Sequence, residues 1–221
     1  TAGVIVITTK AGIGAERTSQ AQLYAAAGSL GLRETRATAT LAGGGFSVDV
    51  AANNRESDGH RVNFASSTNA TAVSGQWSND WLRVGARTGR DATHSGLPGA
   101  LSAAQYASDP RQAISLTEYG AVHKSHSGIF AEALLGDWQL VADANRRDKD
   151  YDTVTFGSPY AYTVQAENYS LRARHEHQHA AFGNAFVLGY DKGSWERTIT
   201  ASMFTPKGAR ARTDTSAWYL K

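Results

Sequence analysis

Apolar and polar residues alternate one by one through most of this 221-residue chain, and that period constrains the fold more than any other feature. Successive side chains of an extended strand point to opposite faces, so strict alternation gives a sheet one apolar and one polar face. Over residues 45–55, Phe46, Val48, Val50 and Ala52 share one face, and Ser47, Asp49, Asn53 and Arg55 share the other. Ala21, Leu23, Ala25 and Ala27 oppose Gln20 and Gln22 in the same way. Leu82, Val84 and Ala86 oppose Arg83 and Arg87, while Trp138, Leu140, Ala142 and Ala144 oppose Gln139, Asp143 and Asn145. Phe186, Leu188 and Tyr190 oppose Val187, Gly189 and Asp191. The pattern predicts an all-β protein built on a half-buried antiparallel sheet.

The connections carry a second regularity. Tight turns are predicted at 43–45, 78–80 and 136–137, with a fourth near 178–183. Between them lie long polar stretches at 56–66, 91–117, 148–160 and from 192 onward. Short turns at one end and long loops at the other are the pattern of a transmembrane barrel, with the short turns on the periplasmic side. Strands of about ten residues suit a tilted bilayer crossing, whereas globular strands average about 5–6. Trp77, Trp81, Trp138 and Phe182 flank the tight turns, where an interfacial girdle of rings would lie. A soluble sandwich would show the same alternation, so strand length and loop asymmetry carry the distinction.

Within the long stretch 91–117, Gly96-Leu97-Pro98-Gly99 leads into a capping-box spacing, Ser102 with Gln105, and Pro110 blocks any helix from continuing. A short helix is expected over 103–108.

Composition removes several classes. No apolar run approaches the roughly 20 residues of a transmembrane helix. A net charge of +2 gives no reason to expect nucleic acid. The absence of cysteine excludes disulfides, thiolate metal sites and cysteine nucleophiles. No G-x-S-x-G elbow or comparable arrangement is present, so an enzyme is not expected and no cofactor is implied. Thr1 and Lys221 both fall within predicted strands, so the chain reads as part of a longer one.

Three motifs together resemble the TonB-dependent outer-membrane receptors. Gly3-Val4-Ile5-Val6-Ile7-Thr8-Thr9-Lys10 is similar to the strand that ends the plug domain in that family, with Thr1-Ala2 where a Gly-Gly lead is usual. Asp58-Gly59-His60-Arg61-Val62-Asn63 is similar to the family's DGxRxN loop. Gly96 to Leu101, followed by Asp109-Pro110-Arg111-Gln112-Ala113, resembles a loop of many members, and Ala217-Trp218-Tyr219 fits the start of a later strand. The resemblance implies that 1–14 end the plug and that 15–221 begin a barrel of about 22 strands, of which this chain would supply roughly nine or ten. It further implies a bacterial outer-membrane transporter for a scarce large ligand, most commonly a ferric siderophore. Its partners would be the TonB energy-coupling complex, membrane lipid and lipopolysaccharide. A plugless porin-like barrel and a secreted all-β glycan-binding module are the alternatives.

Candidate ligand contacts are Arg55, Arg83 and Arg87 on the polar face, and His123 and His126 near a strand end. Asp49 and Asp143 share that polar face, where solvation and plug packing are the plainer roles. Asp148, Asp150 and Asp152 resemble half a calcium loop but lack its glycine and its closing glutamate, which favours a solvated loop. His175, His177 and His179 share one strand face at the turn end, where headgroup contact is favoured over metal binding. Gly43 to Gly45 reads as a hairpin turn, since no phosphate-loop lysine follows. Lys207, Arg210 and Arg212 form a basic stretch in a late loop, suited to an anion or to solvent.

Overall fold

A computed structural model describes residues 13–14, 16–179 and 182–221. The chain runs β1 (Gln20–Ala27), β2 (Arg33–Gly43), β3 (Phe46–Ser57), β4 (Ser66–Ser78), β5 (Leu82–Gly96), helix α1 (Ala103–Ser108), β6 (Tyr119–Leu135), β7 (Trp138–Thr155), β8 (Ser158–His179), β9 (Phe182–Ser202) and β10 (Ala209–Leu220). All ten strands form one antiparallel sheet in sequence order, an up-and-down meander with β1 and β10 at its edges. No described helix is long and apolar enough to cross a membrane. The predicted plug strand at 3–9 lies outside the described residues, as does the centre of the fourth turn.

The register aligns the alternating faces from strand to strand. Val50 lies opposite Ala39 and Val73, and Val73 lies opposite Thr88. Ile129 pairs with Ala86 and Ala144, and Leu171 pairs with Ala142 and Tyr190. Tyr190 pairs with Trp218. A continuous apolar face results, and none of the described residues covers it: Leu23 is 78% exposed, Ile129 64%, Leu171 57% and Trp218 73%. Among the described residues Ala121 is the one buried hydrophobic. A sandwich would bury this face against a second sheet.

Rings concentrate at the turn end of the apolar face. Phe46 and Trp77 lie 6.4 Å apart between centroids, and Trp138 lies 4.8 Å from His175 and 6.5 Å from Phe186. From this end the apolar face continues through Leu140, Ala142 and Ala144 and turns charged at Arg146; on β8 it runs through Ala173 and Leu171 to Tyr169 and turns charged at Glu167. The apolar segment therefore occupies about 20 Å of strand at roughly 3.4 Å per residue. β8 and β9, of 22 and 21 residues, extend well past it.

That extension corrects three loop expectations. Residues 148–160 are not a loop, because β7 and β8 continue to a two-residue hairpin at Phe156 and Gly157. β5 runs on to Gly96 before its long connection, and β9 runs to Ser202, leaving short loop 203–208. Polar residues misled here: above the apolar belt, a strand can be polar on both faces and still pair along its backbone. The loop 58–65, the loop holding α1, and the turns at 44–45, 79–81 and 136–137 fall where they were expected. α1 has both halves of its capping box, with Ser102 and Gln105 each bonding the other's backbone.

Two glycines allow close strand approach on the polar face. A Cβ at Gly85 would stand 2.5 Å from the Phe130 ring, and one at Gly189 would run into the Tyr219 ring. Each aromatic side chain lies across the neighbouring strand where that strand lacks a side chain, the pairing that rescues glycine within sheets.

Phe156 takes φ 51° and Gly157 φ 71°, the positive pair of a type I′ hairpin, and Phe156 is 98% exposed. A bulky residue there is strained and gains no packing. Phe156→Asn is expected to raise the stability of the full-length protein by about 1 kcal/mol, read as a higher urea midpoint.

Candidate functional site

The polar face of the sheet carries three side-chain groups, two side by side toward the turn end and one at the loop end. At the turn end, Arg17, just ahead of β1, reaches across to the wall. Its Nη1 and Nη2 donate to Asp49 Oδ2 and Oδ1 at 2.6 and 2.7 Å, and Nη1 also donates to Ser47 Oγ at 3.1 Å. Asp49 further accepts from Thr40 at 2.7 Å and Ser74 at 3.3 Å, so one carboxylate gathers β2, β3, β4 and the incoming segment. Ser19 bonds Ala42, and Gly14 N donates to Ser78 Oγ at 3.2 Å. A two-pronged, charge-assisted pair of this kind fixes geometry as well as contributing energy.

Beside this group, on β4 to β7, Arg83 donates to Gln76 at 3.2 Å and to Glu132 at 3.3 Å, and Gln139 donates to Glu132 at 2.7 Å. Arg87 donates to Asp143 at 2.9 Å and Asn145 at 2.6 Å, and Asn145 in turn bonds Asp143. The ring of Phe130 lies 4.6 Å from the Arg83 guanidinium and 6.0 Å from that of Arg87. These two arginines are therefore matched by acids and amides of the wall itself.

At the loop end, β7, β8 and β9 bring tyrosines and cations together. Lys149 Nζ donates to Tyr162 OH at 2.9 Å, and the Arg197 guanidinium lies 4.2 Å over the Tyr162 ring. Arg197 Nη2 donates to Tyr160 OH, while its Nε is buried with no partner among the described residues. Tyr151 stands 5.0 Å from Tyr162 and 6.4 Å from Tyr160 between centroids. The register adds Arg147, Trp195 and Lys124 to the same face, since Lys124 pairs with Lys149 and Ala166 pairs with both Arg147 and Trp195. Arg147 has no hydrogen bond or ion pair among the described residues. The one acid within the patch is Asp91, 3.6 Å from Lys124. Four cations against one acid, with tyrosines and a tryptophan between them, form a surface suited to an anionic ligand with planar groups.

Of the residues expected from sequence, Arg55, Arg83, Arg87 and His126 lie on the polar face, as do Asp49 and Asp143. Arg55 has no side-chain partner among the described residues. His126 lies flat against Gly89, where a Cβ would come within 2.5 Å of its ring. His123 projects from the opposite face, so the two histidines do not share a site. Asp148, Asp150 and Asp152 lie on the same face as His123, along β7 rather than in a loop. Asp148 pairs with Arg146, and Asp152 accepts from Tyr119 OH. Among the described residues no three His, Cys, Asp or Glu side chains converge for a metal ion. Arg210 and Arg212 stand on β10, paired with Glu196 and Asp214, rather than in a basic loop. His175 stacks by its neighbour His177, which lies 3.1 Å from Asp137 at the turn; the His179 side chain lies outside the described residues.

Sequence reading missed Lys149, Tyr151, Tyr160, Tyr162 and Arg197 because it placed 148–160 and the stretch from 192 onward in loops. The signal was present: Arg147, Lys149, Tyr151 and Thr153 alternate in register with Tyr160, Tyr162 and Val164 across Phe156-Gly157.

Comparison with solved structures gives the same architecture. The ferric citrate transporter FecA matches with a TM-score of 0.75 and 12% identity over 90% of this chain and 34% of its own. The ferric-catecholate import receptor Fiu from E. coli K12 matches at 0.72 and 12% identity, over 93% of this chain and 42% of its own. BauA, the ferric preacinetobactin receptor from Acinetobacter baumannii, matches at 0.68 and 11%, over 90% of this chain and 37% of its own. No family model matches the sequence. No curated protein matches it either. The chain therefore shares the fold of part of these β-barrels and spans under half the length of these structures.

The Arg17–Asp49 pair is part-buried, with side-chain exposures of 26% and 31%. Asp49→Ala in the full-length protein is expected to cost about 1–3 kcal/mol, because Arg17, Thr40 and Ser74 all lose their acceptor. Adding Arg17→Ala should cost less than the sum of the two single changes in a urea-melt double-mutant cycle.

Proposed function

We propose that this chain is the start of the barrel of a TonB-dependent outer-membrane receptor that takes up a ferric siderophore. The observation that carries the proposal is the sheet itself: ten meandering strands with an uncovered apolar face and a polar face of cations and tyrosines, in the fold of three ferric-chelate transporters and receptors. In this reading the apolar face meets lipid, the ring-lined turn end faces the periplasm, and the polar face lines the lumen. β1 and β10 then pair with strands beyond this chain, which removes two open edges that a bilayer would not tolerate. Residues 1–14 end the plug, and the TonB complex supplies the work that releases a tightly held ligand. The charged positions above the apolar belt, Arg146, Glu167 and Lys192 among them, stand at the level of lipopolysaccharide headgroups.

Ligand contact falls to the patch of Lys149, Tyr151, Tyr160, Tyr162, Arg147 and Arg197, with Arg55 free to contribute from β3. Arg83 and Arg87 act as wall residues, since their charges are matched within the sheet. Neither alternative explains the whole arrangement. A glycan-binding sandwich would cover its apolar face, and a simple porin does not account for the plug-like motif at 3–10.

The test is binding and uptake of radiolabelled ferric chelates by cells carrying the full-length protein. Lys149→Glu with Arg197→Glu is expected to weaken binding of the chelate taken up by about 10–100-fold, on the order of 1–3 kcal/mol. Arg83→Gln should leave binding within about threefold while lowering stability. Recovery of the protein in the soluble fraction, or uptake unchanged by loss of TonB, would contradict the proposal.

A further inference from the structure

The loop 58–65 makes an unusual set of bonds, and nearly all of them run to other loops. Arg61 Nε and Nη2 donate to the Gln112 carbonyl at 3.0 and 2.9 Å, and Nη1 donates to the Gly99 carbonyl at 2.8 Å. The Asn63 amide nitrogen donates to the carbonyls of Glu118, Ser115 and Leu97 at 2.9, 3.1 and 3.3 Å. Between them, Val62 N donates to the Arg111 carbonyl at 2.8 Å. Every acceptor lies in the connection 97–118. Without these two side chains, those carbonyls would need water or a different backbone course.

The local backbone is shaped for this contact. Asn63 holds φ 53°, a left-handed conformation that asparagine tolerates better than most residues. Gly96 permits the approach, since a Cβ there would stand 2.5 Å from the Asn63 carbonyl and 2.7 Å from its amide oxygen. On the other side, Asp58 N and Ser57 Oγ both donate to the Leu30 carbonyl, at 2.8 and 3.1 Å, which ties in the loop 28–32. The hairpin at 156–157 meets this group through one bond, Gly157 N to Glu118 at 3.1 Å. The loop 203–208 makes none to it among the described residues.

We propose that the loops 28–32, 58–65 and 97–118 form one rigid cap, with Arg61 and Asn63 as its positioning residues. Movement over the loop end of the sheet is then confined to 156–157 and 203–208. Two side chains give the 22-residue connection an ordered course that its own short helix α1 could not supply. This inference holds whatever the receptor takes up, so its failure is separable from failure of the transport reading.

The test is amide hydrogen exchange on the full-length protein in detergent, without ligand. Asn63→Gly keeps the left-handed backbone accessible and removes the amide; Arg61→Lys keeps the charge but not the fork across the Gln112 and Gly99 carbonyls. In the unaltered protein, amides at Val62, Leu97 and Ile114 should be protected, because each donates to a loop carbonyl. Arg61→Ala with Asn63→Gly should speed exchange across 97–118 by tenfold or more and leave β5 and β6 unchanged. Free exchange of 97–118 in the unaltered protein, or protection unchanged in the double variant, would overturn the cap. So would loss of protection spreading equally through β3–β6, which would make the two residues supports of the sheet rather than of the loops.

Discussion

The pleat of the strands is the constraint on which the rest of this structure depends. Because neighbouring side chains point oppositely, a register slip of one residue would exchange the whole apolar face for the polar one. Val50, Val73, Ile129 and Leu171 would then stand among Asp49, Arg87 and Asp143, leaving charges without partners. The registry is therefore held twice, by the apolar side chains that must stay together and by ion pairs that form across strands on the other face. Arg83 with Glu132 and Arg87 with Asp143 each tie non-adjacent parts of the sequence at one level of the wall.

The same constraint arranges function along the strand axis. Near the turns, one face is apolar and ringed by Trp77, Trp138 and Phe186; farther along, both faces become polar and the strands simply continue. That continuation lifts Lys149, Tyr162 and Arg197 above the apolar belt and sets them on the polar face. Below them Arg83 and Arg87 are matched within the wall; at their level, cations outnumber acids. The division follows from where each residue falls in register.

The sequence made the face pattern, the tight turns, α1 with its capping box, and the class of fold legible, because each depends on residues close together in the chain. Strand ends were harder to read. Asp148, Asp150 and Asp152 look like a loop in isolation, yet backbone pairing with 161–165 holds them in β7. For the same reason the Tyr162 cluster was hidden: its members come from two sides of a hairpin whose turn residue, Phe156, carries no turn signal of its own. His123 and His126, close in sequence, stand on opposite faces, since three residues apart in a strand reverses the side. The DGxRxN stretch was recognisable as a motif, but its role in bonding 97–118 depends on partners about 35–55 positions away.

The central claim is that the apolar face meets lipid and the polar face lines a water-filled lumen. It is tested most directly by single-cysteine scanning of β7 in the full-length protein in outer membranes, since this chain carries no cysteine of its own. Cysteines at Leu140, Ala142 and Ala144 should resist a water-soluble maleimide, while those at Asp143, Asn145 and Arg147 should react with it. The reverse pattern, or reactivity that does not alternate along the strand, would contradict the account.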